Sequence, residues 1–237
     1  MSGPLLSEVL SLRLDPQLRQ WDAAGLDGQP IEEIGDLAGA VWERVAKSLA
    51  RDHGPNIHPT AWISPLANIG ADVIIGPGAK VYEFSTVRNR SVLGADVTVG
   101  YGCEVSRTVL GSGTALAHRA MVSCSVIGQH VHFASQLTIA PCLLTNPDMR
   151  HPTRPIAFGL PDGTRLDSGQ PKWGALVGDE VRAGIGITLG PGTVIGARSL
   201  LHGGVAVSTA WIPADSCLYP PTRLGYQRET HSEGAPS

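Results

Sequence analysis

The stretch IGADVIIGPGAKVYEFSTVRNRSVLGADVTVGYGCEV, from Ile69 to Val105, returns a branched aliphatic residue at every sixth position: Ile69, Ile75, Val81, Val87, Leu93, Val99 and Val105. The same register reaches back to Ile57 and Ile63. After a five-residue step it resumes at Leu110, Leu116 and Val122, and after another at Ile127, Phe133 and Ile139. It returns at Val177, Ala183, Leu189, Ile195, Leu201 and Val207. The fifth place of most hexads is small or β-branched, as at Ala79, Ser85, Cys103, Thr114 and Ala120, and Gly commonly follows the aliphatic residue. Six residues cannot make a helix face, but they make one short strand and one corner. The aliphatic residue points inward, the small one fits beside the corner, and Gly takes conformations that a Cβ opposes. Three such strands close a triangular coil of about 18 residues, and stacked coils share continuous parallel ladders. The expected fold is all-β, a parallel β-helix of about seven coils from Ile57 to about Ile212.

Composition agrees. The 29 Gly and 18 Pro mark many corners, and only 5% of residues are aromatic, as a narrow coil demands. With 42% hydrophobic and 16% charged residues, the chain is not of the disordered class. The glycines lack a Gly-X-Y period, which excludes collagen. A net charge of −3 without a Lys/Arg run gives no footprint for nucleic acid or an anionic membrane. No apolar stretch approaches the roughly 18 residues of a membrane span, and no basic segment with an apolar core opens the chain. The expectation is a soluble cytoplasmic protein. In that setting Cys103, Cys124, Cys142 and Cys217, which have no paired spacing, read as reduced thiols.

Two segments stand outside the hexads. From Asp36 to Asp52 the residues Leu37, Val41, Trp42, Val45 and Leu49 have helical spacing, with Asp36 as N-cap and Glu43/Lys47 as an i,i+4 pair. Residues 1–55 therefore read as a short N-terminal helical segment, 56–228 as the β-helix, and 229–237 as a polar flexible tail. Residues 145–173 carry five prolines and no hexad, and a loop of that length inside a coil series points to function. Near it, polar residues break the coil pattern: His118 at an outward hexad place, and His130 and His132 two coil sides later.

From Ile57 to Arg223 the chain resembles the left-handed β-helix acetyltransferase domain of the bifunctional glucosamine-1-phosphate acetyltransferase/N-acetylglucosamine-1-phosphate uridyltransferases. The run from Pro171 to Gly192 resembles their archaeal-type sugar-phosphate nucleotidyltransferase relatives, whose nucleotidyltransferase half is not expected here. The resemblance is carried by the colinear match through Arg88, Glu104, the five-residue slip at Val105, and His118. It implies a left-handed coil and an acyl-CoA-dependent N-acyltransferase, with acetyl as the expected group and His118 as the general base that takes a proton from the attacking amine; a neutral imidazole suits that task. It further implies Asn146 and backbone N–H groups near Ser135 as catalytic groups. Arg88, Glu104, His132, Met121 and Arg150 become substrate contacts, and Ile185, Ala197 and Arg223 become contacts for acetyl-CoA, with no metal. Ser106, Met121 and His132 stand where the family has a lysine, a tyrosine and an asparagine. These departures point to an amino sugar, sugar phosphate or sugar nucleotide other than glucosamine-1-phosphate, or to a small amine. The resemblance also implies a homotrimer. Two other classes stay open: a repurposed, non-catalytic β-helix that binds a sugar nucleotide, and a γ-carbonic-anhydrase-like metal hydrolyase using His118, His130 and His132.

Overall fold

The computed structural model describes residues 35–52 and 54–221, in which the hexads form the sides of a left-handed parallel β-helix. Face one runs from strand Trp62–Ile63 to Cys217–Leu218, face two from Asn68–Ile69 to Ala206–Val207, and face three from Ile74–Ile75 to Trp211–Ile212. Ladder partners lie 18 residues apart in the first coils, as in Ile63 with Val81, and 17 apart where a five-residue corner intervenes, as in Val105 with Val122. Every short corner falls on the edge between faces two and three. So does a further short step, Val207 to Ile212, that the hexad reading did not register.

The interior is a column of aliphatic residues from Val73 to Val207 with Phe133 as its one large ring among the described residues. The small fifth place is more than a matter of size. Ser85 Oγ donates to the Gly100 carbonyl at 2.6 Å and accepts from the Cys103 N–H at 3.0 Å. Thr114 repeats the pattern with Gly128 and Val131, at 2.8 and 3.1 Å. These hydroxyls are fully buried, and each satisfies itself while tying one coil to the next.

A second core lies outside the coil. Strands of face three carry apolar residues on both sides: Ile74 with Ile75, Val92 with Leu93, Val126 with Ile127, Leu176 with Val177. Strands buried on both faces read in this way. The covering element is helix α1, Leu37–Arg51, whose stripe Leu37, Val41, Val45 and Leu49 is buried against Ile74, Val92 and Val126. Asp36 caps it, accepting from the Gly39 N–H at 3.2 Å. Glu43 reaches Arg90 at 2.9 Å instead of forming the expected pair with Lys47, because the helix lies against the coil and the arginine of the corner is closer.

The long loop leaves after Ile139 and rejoins at Ala175. Its inner half is structural: an antiparallel hairpin, Ala157–Gly159 with Arg165–Asp167, buries Ile156 and Phe158 on face three. Phe158 meets Trp173 edge-on at 4.8 Å, and Trp173 Nε1 donates to the Gly35 carbonyl at 2.7 Å. No helix among the described residues is long and apolar enough to cross a membrane.

Candidate functional site

The edge between faces one and two places one outward residue per coil in the same stacked position: Glu83, Tyr101, His118, Ser135, Ile185 and Gly203. The residue after each closes the corner in a left-handed conformation, at Phe84, Gly102, Arg119, Gln136, Gly186 and Gly204. Its N–H then donates to the equivalent carbonyl one coil back: Arg119 N to Tyr101 at 2.8 Å, Gln136 N to His118 at 2.9 Å, Gly186 N to Ser135 at 3.0 Å. His118 is exposed, and among the described residues its imidazole makes no hydrogen bond. The Ser135 N–H likewise has no partner among them, whereas that of Gln136 is consumed. A base and an open backbone donor therefore stand one strand spacing apart, about 4.8 Å.

Face two begins beside this edge. Glu104 and Met121 are ladder neighbours there, and Arg88 folds across to Glu104, with Nη2 and Nε at 2.6 and 3.2 Å from Oε1. The expected substrate contacts Glu104 and Met121 thus open face two on the side of His118, and Arg88, from the far end of its strand, reaches them through Glu104. Ser106, in the family's lysine position, is buried and accepts from Asn89 Nδ2 at 2.8 Å.

Other expected residues lie elsewhere. Asn146 is buried, and both ends of its amide hold the loop: Nδ2 donates to Leu143 at 2.8 Å, and Oδ1 accepts from the Thr153 and Arg154 N–H groups at 3.0 and 2.9 Å. In this arrangement its amide shapes the loop. His132 sits on face one between Ala115 and Arg182 in the ladder, a face away from Met121. Arg150 is exposed in the loop and pairs with Asp148, whose carboxyl is held below its usual range first by His151 and then by the Arg150 backbone. Ala197 is buried on the edge between faces three and one, so one protomer does not bring it to Ile185. Arg223 lies outside the described residues. His118, His130 and His132 occupy three different places around the coil, and no cluster of three metal-ligating side chains occurs among the described residues.

The sequence reading missed a basic crevice of about 480 Å³ on the edge between faces two and three, lined by Arg88, Arg90, Arg107 and Lys172. Two of its arginines dock α1. Arg107 pairs with Asp36 through Nη2 at 2.5 Å, and the carboxylate's hydrogen bond raises the guanidinium pKa further. Arg90 pairs with Glu43 and lies 4.3 Å over the Trp42 ring. A second cleft of about 400 Å³, walled by Leu143, Leu144 and Thr188, opens on the later coils of face two.

Comparison with known proteins places this architecture. A family model for the C-terminal domain of GMPPB matches residues 54–148. A bifunctional sugar-1-phosphate nucleotidylyltransferase/acetyltransferase from Sulfurisphaera tokodaii is 31% identical over 133 residues, which are 56% of this chain and 30% of that protein. The chain is a hexapeptide-repeat protein. Another relative of this hexapeptide-repeat chain, a bifunctional GlmU protein from Methanococcus vannielii, is 29% identical over 123 residues, 52% of this chain and 28% of its own. The hexapeptide-repeat chain thus spans under a third of the length of these relatives. Among solved structures, a hexapeptide transferase family protein from Anaplasma phagocytophilum matches with a TM-score of 0.46 at 13% identity, over 63% of this chain and 74% of that one. A mutant perosamine N-acetyltransferase from Caulobacter crescentus, in complex with CoA and GDP-perosamine, matches with a TM-score of 0.33 at 16% identity, over 73% and 62%.

Proposed function

We propose that the protein is an acyl-CoA-dependent N-acyltransferase, with acetyl-CoA as the donor, acting on an amino sugar, sugar phosphate or sugar nucleotide. The observation that carries this reading is the single edge on which His118, the open Ser135 N–H and Ile185 follow one another. The acceptor's amine attacks the thioester carbonyl carbon. A C–N bond forms, and His118 takes the amine proton. The carbonyl oxygen, now negative, accepts from the Ser135 N–H. The tetrahedral intermediate then collapses, the C–S bond breaks, and the thiolate of CoA leaves and takes the proton back from His118. Arg88 and Glu104 hold the acceptor on face two, the guanidinium toward its anionic group and the carboxylate toward its hydroxyls or amine.

The acyl donor lies downstream, over Ile185 and Gly203. A Cβ on Gly203 would stand 3.1 Å from the Ile185 carbonyl, so the edge there is bare backbone. A trimer, with face one of a neighbouring copy opposite the His118 edge, would return His132 to the site that one protomer leaves incomplete.

The test is incubation of the protein with acetyl-CoA and a panel of amino sugars and their nucleotide-linked forms, read by product mass. A mass increase of one acetyl group is expected on one acceptor class, and His118→Ala should lower turnover by about 10²–10⁴-fold with an unchanged unfolding midpoint. Absence of acetyl-CoA binding by calorimetry would overturn the assignment in favour of a ligand-binding β-helix. Turnover unchanged in His118→Ala would remove His118 from the mechanism.

A further inference from the structure

The two halves of the His118 edge differ in chemistry. Downstream, the corners are non-aromatic and mostly small: Ala134 and Ser135, then Gly184 and Gly186 on either side of the exposed Ile185, then Gly203 and Gly204. Upstream, they are aromatic. In a chain with only 5 Trp, 4 Tyr and 3 Phe, the first coils expose Tyr82, Phe84 and Tyr101 along this one edge, with Trp62 beside them on face one. Phe84 and Tyr101 are 61% and 47% exposed, although their rings touch edge-on at 5.5 Å, one coil apart. Trp62 and Tyr82 flank them with centroids 5.1 Å apart. Exposed rings clustered in this way cost free energy in water and are informative where isolated apolar residues are not.

Charge is arranged around the rings. Arg119 follows His118 directly, and its left-handed corner sends the side chain back upstream, where its Cγ covers Gly102. The guanidinium has no carboxylate partner among the described residues. Glu83, half-buried, stands in the stacked place two coils above His118, without a cationic partner among them. Read along the edge, the order is carboxylate and rings, then a free guanidinium, then the base. At about 4.8 Å per strand, the rings begin one coil from His118 at Tyr101, continue at Phe84 and Tyr82 two coils away, and end at Trp62 three coils away.

We infer that the upstream half of this edge is a subsite for a nucleoside diphosphate. The base stacks on Phe84 and Tyr101, Glu83 accepts from the ribose hydroxyls, and Arg119 holds the diphosphate. The sugar linked to that diphosphate then reaches His118. This deepens the acyltransferase reading, on which it rests, by naming the acceptor as a nucleotide-linked amino sugar and not a bare sugar phosphate. It assigns the linking diphosphate to Arg119 and leaves Arg88, paired with Glu104, to the part of the acceptor that lies on face two.

The test titrates the full chain, without acyl donor, with UDP, GDP and inorganic pyrophosphate by calorimetry, alongside Tyr101→Ala, Phe84→Ala and Arg119→Gln. Molecular mass is followed by sedimentation, and acetyl-CoA is titrated separately. At least one nucleoside diphosphate should bind at least about tenfold more tightly than pyrophosphate, and each ring variant should lose about tenfold or more of that affinity. Arg119→Gln should weaken nucleotide binding, and all three variants should bind acetyl-CoA as the wild type does. Pyrophosphate binding as tightly as the nucleotides, or no nucleotide binding at all, overturns the subsite. So does a ring variant that changes mass while keeping nucleotide affinity, because the rings then serve a second copy of the chain. In each of these cases acetyl-CoA binding and the His118→Ala result still decide the acyltransferase reading by themselves.

Discussion

At Gly100 one methyl group decides whether the His118 edge can exist. A Cβ there would collide with the Ala117 carbonyl, which belongs to the backbone of the next coil and cannot swing away. The same glycine carbonyl accepts from Ser85 Oγ at 2.6 Å, so the coil cannot shift outward without breaking a buried bond. Gly100→Ala should therefore cost about 3 kcal/mol or more, beyond the range of ordinary surface changes, measured as a fall in the urea midpoint. A change within about 0.5 kcal/mol would show that the corner is slack. Cys103, on the same coil, offers a test by pH. Burial pushes its thiol pKa up, against smaller opposing effects from the backbone N–H groups of Ala120, Arg119 and Gly100. The unfolded thiol ionises near the ordinary value of about 8.5, and the folded thiol only above it. Its contribution to stability is whole below that value and is lost as pH rises through the folded value. Between pH 8 and 10 the urea midpoint should fall less steeply in Cys103→Ala than in the wild type, and parallel slopes would contradict this.

The covering of face three by α1 and the hairpin shows which interactions hold an element to the coil. Arg107 with Asp36 and Arg90 with Glu43 are close pairs, but all four side chains are at least a third exposed, so each pair contributes under about 1 kcal/mol. Trp173, only 3% exposed, loses about 3–5 kcal/mol on truncation. Trp173→Ala should lower the unfolding midpoint well beyond Arg107→Ala, and the reverse order would mean that ion pairs dock the helix. This element also marks where the sequence was legible. The coil was plain because Ile, Val and Leu at every sixth place admit one periodic structure, and α1 because Leu37, Val41, Val45 and Leu49 share a helical stripe. The hairpin was hidden, since Ile156 and Phe158 sit among prolines with no period, and their partners on face three are recognised only once the strands have been sorted by face. At the site, His118 and its neighbours on face two were legible because their spacing in the chain fixes their coil position. Asn146 was not, since a loop residue's partners depend on a path that no period dictates, and the crevice cations Arg90, Arg107 and Lys172 come from three separate corners.

The molecule as a whole is a stack in which each coil touches only its neighbours, so protection against unfolding should fall toward the ends. Ile57 is 39% exposed at one end, and Ile212 and Leu218 are half-buried at the other, while Val81 to Ile195 are almost fully enclosed. Hydrogen exchange read by mass spectrometry should be slowest between those two residues and faster at both ends, and uniform protection would contradict the stacking picture. The corners of the stack differ in one respect with a wider consequence. From Ile63–Ile69 to Leu201–Val207, the edge that carries His118 takes six residues on every coil, while the edge between faces two and three absorbs each five-residue step and the whole of the long loop. The His118 edge is therefore a graduated ruler, marked in divisions of about 4.8 Å, and a molecule lying along it is measured in whole divisions. Inserting or deleting residues at the other edge changes the outline of the protein without moving a mark. Only the gain or loss of a complete coil can alter the length that is gauged, so the chain can vary in size and in reach by independent routes.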